Sequence, residues 1–335
     1  MNIQAIELFS EVVNPDLGEV SALMRATWSP PCWVYEPDLL AMHIHRPSAD
    51  PAMAVGLRAG GGDLAAYLAF VPLTLRLDGK TYSAVFASFF TVSGRYRRHR
   101  LSDRQQGLML DRAKSRGYDL YVAVTVAGTP ANQTVARAFA ARDLPVQSVR
   151  NFRYLAGSSA IVGSRLMRTE GLLRVRPYEP KDEAAAHALL TKAGLSATLA
   201  KVVERMDVDF VLRTRPRVRT YVYEDGGRVQ GILNIAILSV RSSHVAPNAY
   251  VEHIAFGAME AAAREEFVDT VLRQVLALGV EAVMIPDTGY ADLAVFRRLG
   301  FRAAPRKLRL LLAPLRGGIL QALPQEIDSF YLDVF

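Results

Sequence analysis

Long runs in which apolar residues alternate with polar ones, or are nearly continuous, are separated along this chain by stretches with apolar positions at helical spacing. In the first half, helical stretches fall at 17–26 and 37–45. Strand-like runs follow, "AMAVGLR" and then "DLAAYLAFVPLTLRL", and the latter meets "TYSAVFASFFTV" across the turn "DGK". An Asp-Gly pair between two such runs is a strong hairpin signal. A basic turn comes next, then a helix to about Arg116 that stops at Gly117-Tyr118, the strand "DLYVAVT", and a helix over 131–142. A strand pair in "VQSVRNFRYLA" closes the half.

The second half repeats this order. "LLRVRPYEPKDEAAAHALL" reads as strand, turn and helix, and a helical stretch is predicted over 199–212. "RTYVYE" and "GRVQGILNIAILSV" form a second hairpin across Asp225-Gly226-Gly227. The strand "AYVEHIAF" leads to a helix over 262–278 whose Phe267, Val268, Val271, Leu272 and Val275 give it one apolar face. "VEAVMIP", the helix "ADLAVFRRL" and the strand "KLRLLLAP" complete the repeat. The expected organisation is therefore an N-terminal domain over 1–156, a Gly/Ser-rich linker over 157–171, a C-terminal domain over 172–313 and a tail over 314–335. The closing "FYLDVF" is apolar enough to dock on a domain.

Composition narrows the class. The 335 residues are enough for two domains with their own cores, and half of them are hydrophobic, which excludes a disordered chain. No apolar run reaches the roughly 20 residues of a membrane span, and the acidic start makes a poor secretory signal. A cytoplasmic protein is the expectation. Cys32 is the single cysteine, so it excludes intramolecular disulfides, and beside an aromatic it reads as a structural thiol. No His/Asp/Glu spacing suggests a metal site. The formal charge of +7 is concentrated in "RYRRHR" and "RTRPRVRT". Such patches attract nucleic acid or a phosphorylated small molecule alike, but no helix-turn-helix, zinc-finger or RNA-recognition signature accompanies them.

The order of strand, basic turn, helix ending in Gly-Tyr, strand, Asn-led helix and strand pair resembles the core of the GNAT acyltransferase superfamily. Its occurrence twice is similar to a tandem GNAT protein. The resemblance implies an α/β (α+β) chain of two tandem GNAT-like domains, each a mixed, mostly antiparallel sheet flanked by helices. It also implies an acyl-CoA-dependent N-acyltransferase, using acetyl-CoA or another acyl-CoA and a small-molecule amine acceptor. In the family, backbone amides of the turn and of the helix start hold the CoA diphosphate, since the first helical N–H groups lack internal partners and the helix dipole favours anions. The match here begins at Val92. Arg97 takes the basic first position, with Arg98 beside it, and Arg100 and Ser102 stand where the family has glycines, flanking Leu101. Arg100 either blocks close approach of a phosphate or contacts it through its side chain. "SDRQ" also reads as a capping box with Ser102 at the N-cap and Gln105 at N3. A solvated basic turn is the alternative reading of the whole stretch.

The same resemblance places the main chain of Phe90, Thr91 and Val92 at a splayed, bulged strand that polarises the thioester carbonyl and pairs with pantetheine. It places Asn132 against the pantetheine arm; a plain helix cap reads equally well there. Phe139 and Phe296 stand where relatives often carry a tyrosine acid. Ser88, and Glu252 in the second half, are the candidate catalytic positions, Glu252 as a proton acceptor. The second half lacks the basic turn and reads as a structural or substrate-shaping copy. Two other readings stay open: a GNAT scaffold that binds acyl-CoA without turnover, and a basic nucleic-acid-associated protein. Acceptor identity and oligomeric state are not specified by the sequence.

Overall fold

A computed structural model describes residues 9–166, 174–214, 217–319 and 323–333, with the side chains of Arg97, Arg98 and Thr214 outside that description. In chain order, the first strands are β1 (Phe9–Val13), β2 (Cys32–Trp33), β3 (Ala54–Ala59), β4 (Leu64–Leu77), β5 (Lys80–Val92), β6 (Leu120–Val126), β7 (Gln147–Phe152) and β8 (Tyr154–Ser158). The later ones are β9 (Val175–Pro177), β10 (Leu199–Lys201), β11 (Val218–Asp225), β12 (Arg228–Arg241), β13 (Val245–Phe256), β14 (Ala282–Pro286), β15 (Arg302–Ala303), β16 (Leu308–Pro314) and β17 (Phe330–Tyr331). The α-helices are α1 (Leu17–Thr27), α2 (Pro37–Ile44), α3 (Leu101–Ser115), α4 (Pro130–Ala140) and α5 (Ser159–Arg165), then α6 (Glu183–Leu195), α7 (Arg205–Asp209), α8 (Ala261–Leu276) and α9 (Ala294–Arg298).

Two compact units result. The sheet of unit 1 runs in the order β1-β3-β4-β5-β6-β16-β7. In it β1–β3, β3–β4, β4–β5 and β6–β16 are antiparallel, and β5–β6 is parallel. Asp78 and Gly79 both take positive φ at the predicted hairpin, the geometry of a tight turn that matches strand twist. Helices α3 and α4 cover one face, where Leu68, Phe70, Val85, Leu110, Tyr121 and Phe139 form the core. The sheet of unit 2 runs β15-β8-β14-β13-β12-β11-β9 with β2 against β12, and again a single parallel pair, β13 with β14, interrupts an antiparallel ladder. Helix α8 buries the predicted apolar face, Phe267 to Val275, against it.

The units are not the two sequence halves. Unit 1 takes residues up to Ser29, Tyr35–Asn151 and Leu308–Ile327; unit 2 takes Pro30–Val34, Phe152–Lys307 and Asp328–Phe335. The expected boundaries at 156 and 313 are displaced because the strand pair 147–158 separates. β7 lies beside β16, whereas β8 enters the sheet of unit 2 between β14 and β15. In return β16 adds to β6 over Leu308–Pro314. Within the expected linker, Ser159–Arg165 is helical, with the Ser158 hydroxyl accepting from the Ile161 amide; residues 167–171 lie outside the described residues. The helix predicted over 199–212 begins instead as β10, because Leu199 and Ala200 pair in parallel with Phe330 and Tyr331 of the tail.

A charged cluster fastens the start of unit 2. Arg176 donates to Asp182 at 2.7 and 2.8 Å and to Glu224 at 2.5 Å, while the Glu179 amide also donates to Asp182 at 2.9 Å. Burial works against the Asp182 charge, but the Arg176 bonds, the Glu179 amide and the Arg176 and Lys181 charges outweigh it and hold the carboxyl below its usual range. A depressed carboxyl contributes stability that is present above its unfolded pKa and lost as pH falls through the folded one. Acid titration of the unfolding free energy is expected to show a loss below about pH 4, and Asp182→Asn is expected to lower stability at neutral pH and flatten that acid limb.

Candidate functional site

The site begins with a mismatch in the ladder between β4 and β5. Ala69 pairs with Ser88 and Tyr67 with Thr91, so two residues of β5, Phe89 and Phe90, oppose the single residue Leu68. This is a β-bulge. Phe89 takes φ of 63°, a conformation that a bulky side chain adopts at a cost of roughly 1–3 kcal/mol. Its ring is held by Tyr35 (centroids 5.1 Å apart) and His43 (5.6 Å), both edge-on, which offsets that cost. Trp28 continues the aromatic row against Tyr35, and its indole N–H donates to the Thr91 hydroxyl at 2.9 Å; Thr91 in turn donates to the Phe89 carbonyl at 3.0 Å.

The bulge has a consequence on the other edge of β5. Parallel pairing with β6 covers Ala84 to Ala87 and stops there, although both strands continue, to Val92 and Val126. The strands diverge into a V. Ser93 donates its amide to Ala65 of the β4 side, so the alternation of backbone groups turns the Val92 amide toward the open side of the V. Ser88, half-buried, is the last regular pair before the bulge. Thr91 is buried; Phe90 packs on the α3/α4 core, and Val92 packs with Leu101 and Tyr96.

The basic turn folds as a 3₁₀ segment, Gly94–His99, that delivers α3 beside the V. Ser102 is not the N-cap. Helix α3 starts at Leu101, Arg100 is its N-cap, and Gln105 sends its amide to the Val55 carbonyl at 2.8 Å, so the expected capping box does not form. Arg100 has φ of 55°. It therefore adopts the left-handed backbone that glycine favours, and its side chain, 81% exposed, turns to Asp103 at 3.0 Å. The first amides bonded back into the helix are those of Asp103 and Arg104, both to Arg100 O at 3.1 Å; those of Leu101 and Ser102 precede them. The side chains of Arg97 and Arg98 lie outside the described residues.

Asn132 is also not a cap. Thr129 holds that position in α4, and Asn132 lies inside the first turn, donating to the Val126 carbonyl at 3.0 Å and accepting from the Thr125 hydroxyl. It ties the end of β6 to α4 on the far wall of the V. Phe139 and Phe296 are both fully buried core residues, against Tyr121 and Phe301 respectively. Neither position carries a proton donor.

Unit 2 repeats the device with different side chains. Ile235 pairs with Val251 and Asn234 with His253, leaving Glu252 as the extra residue. Glu252 is buried and therefore occupies the bulge itself, the place of Phe89 rather than of Ser88. Parallel pairing of β13 with β14 stops at Tyr250↔Met284. Beyond it, the amide of Ile254, two residues past Glu252, donates to the Tyr290 hydroxyl at 3.3 Å. Desolvation keeps the Tyr290 phenol well above its usual pKa, hence neutral.

Two parallel-paired strands diverging past a bulge, with a helix starting at their open end, twice over, define a recognised architecture. Yeast N-myristoyltransferase (Saccharomyces cerevisiae) with bound myristoyl-CoA superposes with a TM-score of 0.76 at 13% identity, over 92% of this chain and 79% of that one. A GCN5-related N-acetyltransferase from Anabaena variabilis gives 0.57 at 10% identity, over 92% and 73%. A conserved Enterococcus faecalis protein described as a probable N-acyltransferase gives 0.56 at 11%, over 91% and 71%. The chain has a tandem GNAT fold. No protein-family model matches the sequence, and no curated protein matches it significantly.

Of the sequence-predicted positions, the GNAT fold brings Phe90, Thr91, Val92, Leu101 and Ser102 together at the V of unit 1, with Asn132 on its opposite wall. Trp28, Tyr35 and His43 behind the bulge were not among them. They come from the α1–α2 region, and only the ladder mismatch at Phe89 assigns them a purpose. Thr91→Val keeps the strand and volume but removes the link from Trp28 to the bulge. A loss of about 1 kcal/mol in unfolding free energy is expected from urea denaturation, with a change in tryptophan fluorescence of the native state.

Proposed function

We propose that the protein is an acyl-CoA-dependent N-acyltransferase whose acyl donor binds at the V of unit 1. The observation that carries this reading is the bulge at Phe89 with the divergence of β5 and β6 beyond it, since it turns main-chain donors into an opening beside a helix start. Pantetheine would pair along Phe90–Val92 as an added strand does, and an amide there would polarise the thioester carbonyl. Asn132 shapes the opposite wall. The diphosphate would meet the Leu101 and Ser102 amides and the positive end of α3, with Arg97 and Arg98 supplying charge. Arg100 takes the left-handed backbone that a glycine favours, and its guanidinium bonds Asp103 in the first turn of α3.

Acyl-CoA brings an activated thioester, so the protein's share of the work is orientation, polarisation of the carbonyl and removal of a proton from the acceptor ammonium. Ser88 is not a base at neutral pH, and its proposed part is to position water or acceptor. Glu252 lies in unit 2 and is assigned no step at the V of unit 1. The myristoyl-CoA carried by the yeast neighbour supports acyl-CoA as the donor class. A small-molecule amine is the proposed acceptor, and the cytoplasm is the proposed location. No helix among the described residues is long and apolar enough to cross a membrane. A scaffold that binds acyl-CoA without turnover is the second reading, favoured by the two buried phenylalanines at the acid positions.

Calorimetric titration with acetyl-, octanoyl- and myristoyl-CoA is expected to show saturable binding of at least one donor. Ser102→Asp is expected to weaken that binding tenfold or more, with folding stability unchanged or slightly raised, because a carboxylate suits a helix start but repels a diphosphate. Equal affinity in this variant would remove the helix start from the site. Thiol release with an amine panel separates the two readings: turnover identifies the enzyme, and tight binding with none identifies the scaffold.

A further inference from the structure

The V of unit 2 opens into a cleft of about 190 Å³ that the reading above does not use. Its walls are Leu189 and Lys192 of α6, Ile254 and Phe256 of β13, Arg264 of α8 and Asp292 after β14. The volume falls below the ~300–1,000 Å³ of pockets for drug-sized ligands and suits a molecule the size of a single amino acid. Three features fix the chemistry of an occupant.

The first is a placed cation. The Arg264 guanidinium lies over the Phe256 ring at 5.6 Å, and its Nε donates to the Met259 carbonyl at 2.9 Å, which fixes the fork at the cleft edge. Its Nη1 is 3.8 Å from Asp292, too far for a hydrogen bond, so the fork retains donors for a carboxylate. Lys192 adds a second positive charge. The second is an anion beside that cation: the Asp292 carboxylate lies next to the guanidinium at the cleft edge. The third is the apolar surface next to this charged pair, formed by Leu189, Ile254 and Phe256. The Ile254 amide of this wall is already taken by the Tyr290 hydroxyl.

We infer that this cleft binds a free apolar α-amino acid, its carboxylate on Arg264 and Lys192, its ammonium toward Asp292 and its side chain on the apolar wall. The inference goes beyond acyl transfer in unit 1 and does not depend on it. Calorimetry on the full chain with L-leucine and L-phenylalanine, and with 3-phenylpropanoate and phenethylamine as analogues lacking one charge, tests it. At least one amino acid is expected to bind saturably, and loss of either charge from phenylalanine to weaken binding tenfold or more. Arg264→Gln is expected to weaken the amino acid by at least tenfold, with its melting curve recorded alongside. Asp292→Asn, at an exposed position, is expected to erase the preference for phenylalanine over 3-phenylpropanoate. No saturable binding by either amino acid would overturn the assignment. So would binding that neither substitution changes, or acetyl-CoA displacing the amino acid from the cleft.

Discussion

One extra residue in a strand governs the functional geometry of this protein. At Phe89 the ladder between β4 and β5 must accommodate two residues against one. The local twist that results ends pairing with β6 at Ala87 and forces two parallel neighbours apart. A sheet interior normally satisfies both edges of every strand, and exposed main-chain donors are costly when buried. The bulge suspends that rule over a few residues and presents backbone groups to a ligand at fixed positions. The aromatic row of Trp28, Tyr35 and His43 behind Phe89 holds the strained residue in place.

The same device occurs twice with opposite outcomes. In unit 1 the strand edge past the bulge faces an opening beside α3. In unit 2 the Ile254 amide, two residues past the bulge, is taken by the Tyr290 hydroxyl, and the buried Glu252 occupies the bulge. A duplicated scaffold can in this way carry two bulges lined by unlike side chains. The exchange of β8 and β16 makes each unit's sheet dependent on sequence from the other half. Neither half as it stands in the sequence carries a complete sheet.

The concentration of arginine around the turn has a simple electrostatic structure. Arg95 pairs with Asp63, while Arg100 and Arg137 share Asp103. Exposed pairs of this kind contribute little to stability, but they set side-chain directions. Arg100 and Arg137 thus neutralise the one acidic residue in the first turn of α3.

The order of elements, both hairpins and the doubled topology were legible from alternation, Asp-Gly turns and helical spacing, because those signals are local. Membership in the GNAT fold followed from that order even though Arg100 and Ser102 stand where glycines usually do. The sequence also located Phe90–Val92 and the start of α3. What it left undecided depends on contacts between distant residues. The capping box at Ser102 is a valid local pattern, but Gln105 spends its amide on Val55, fifty positions away. Residues 199–201 have helical spacing and become a strand because the tail pairs with them. The destination of β16, the bulge register and the amide taken by Tyr290 are properties of paired strands, and no single strand's sequence encodes its partner's register. Local propensity determined most of the elements; tertiary pairing decided the rest, β10 among them, and which main-chain groups lie outside the ladders.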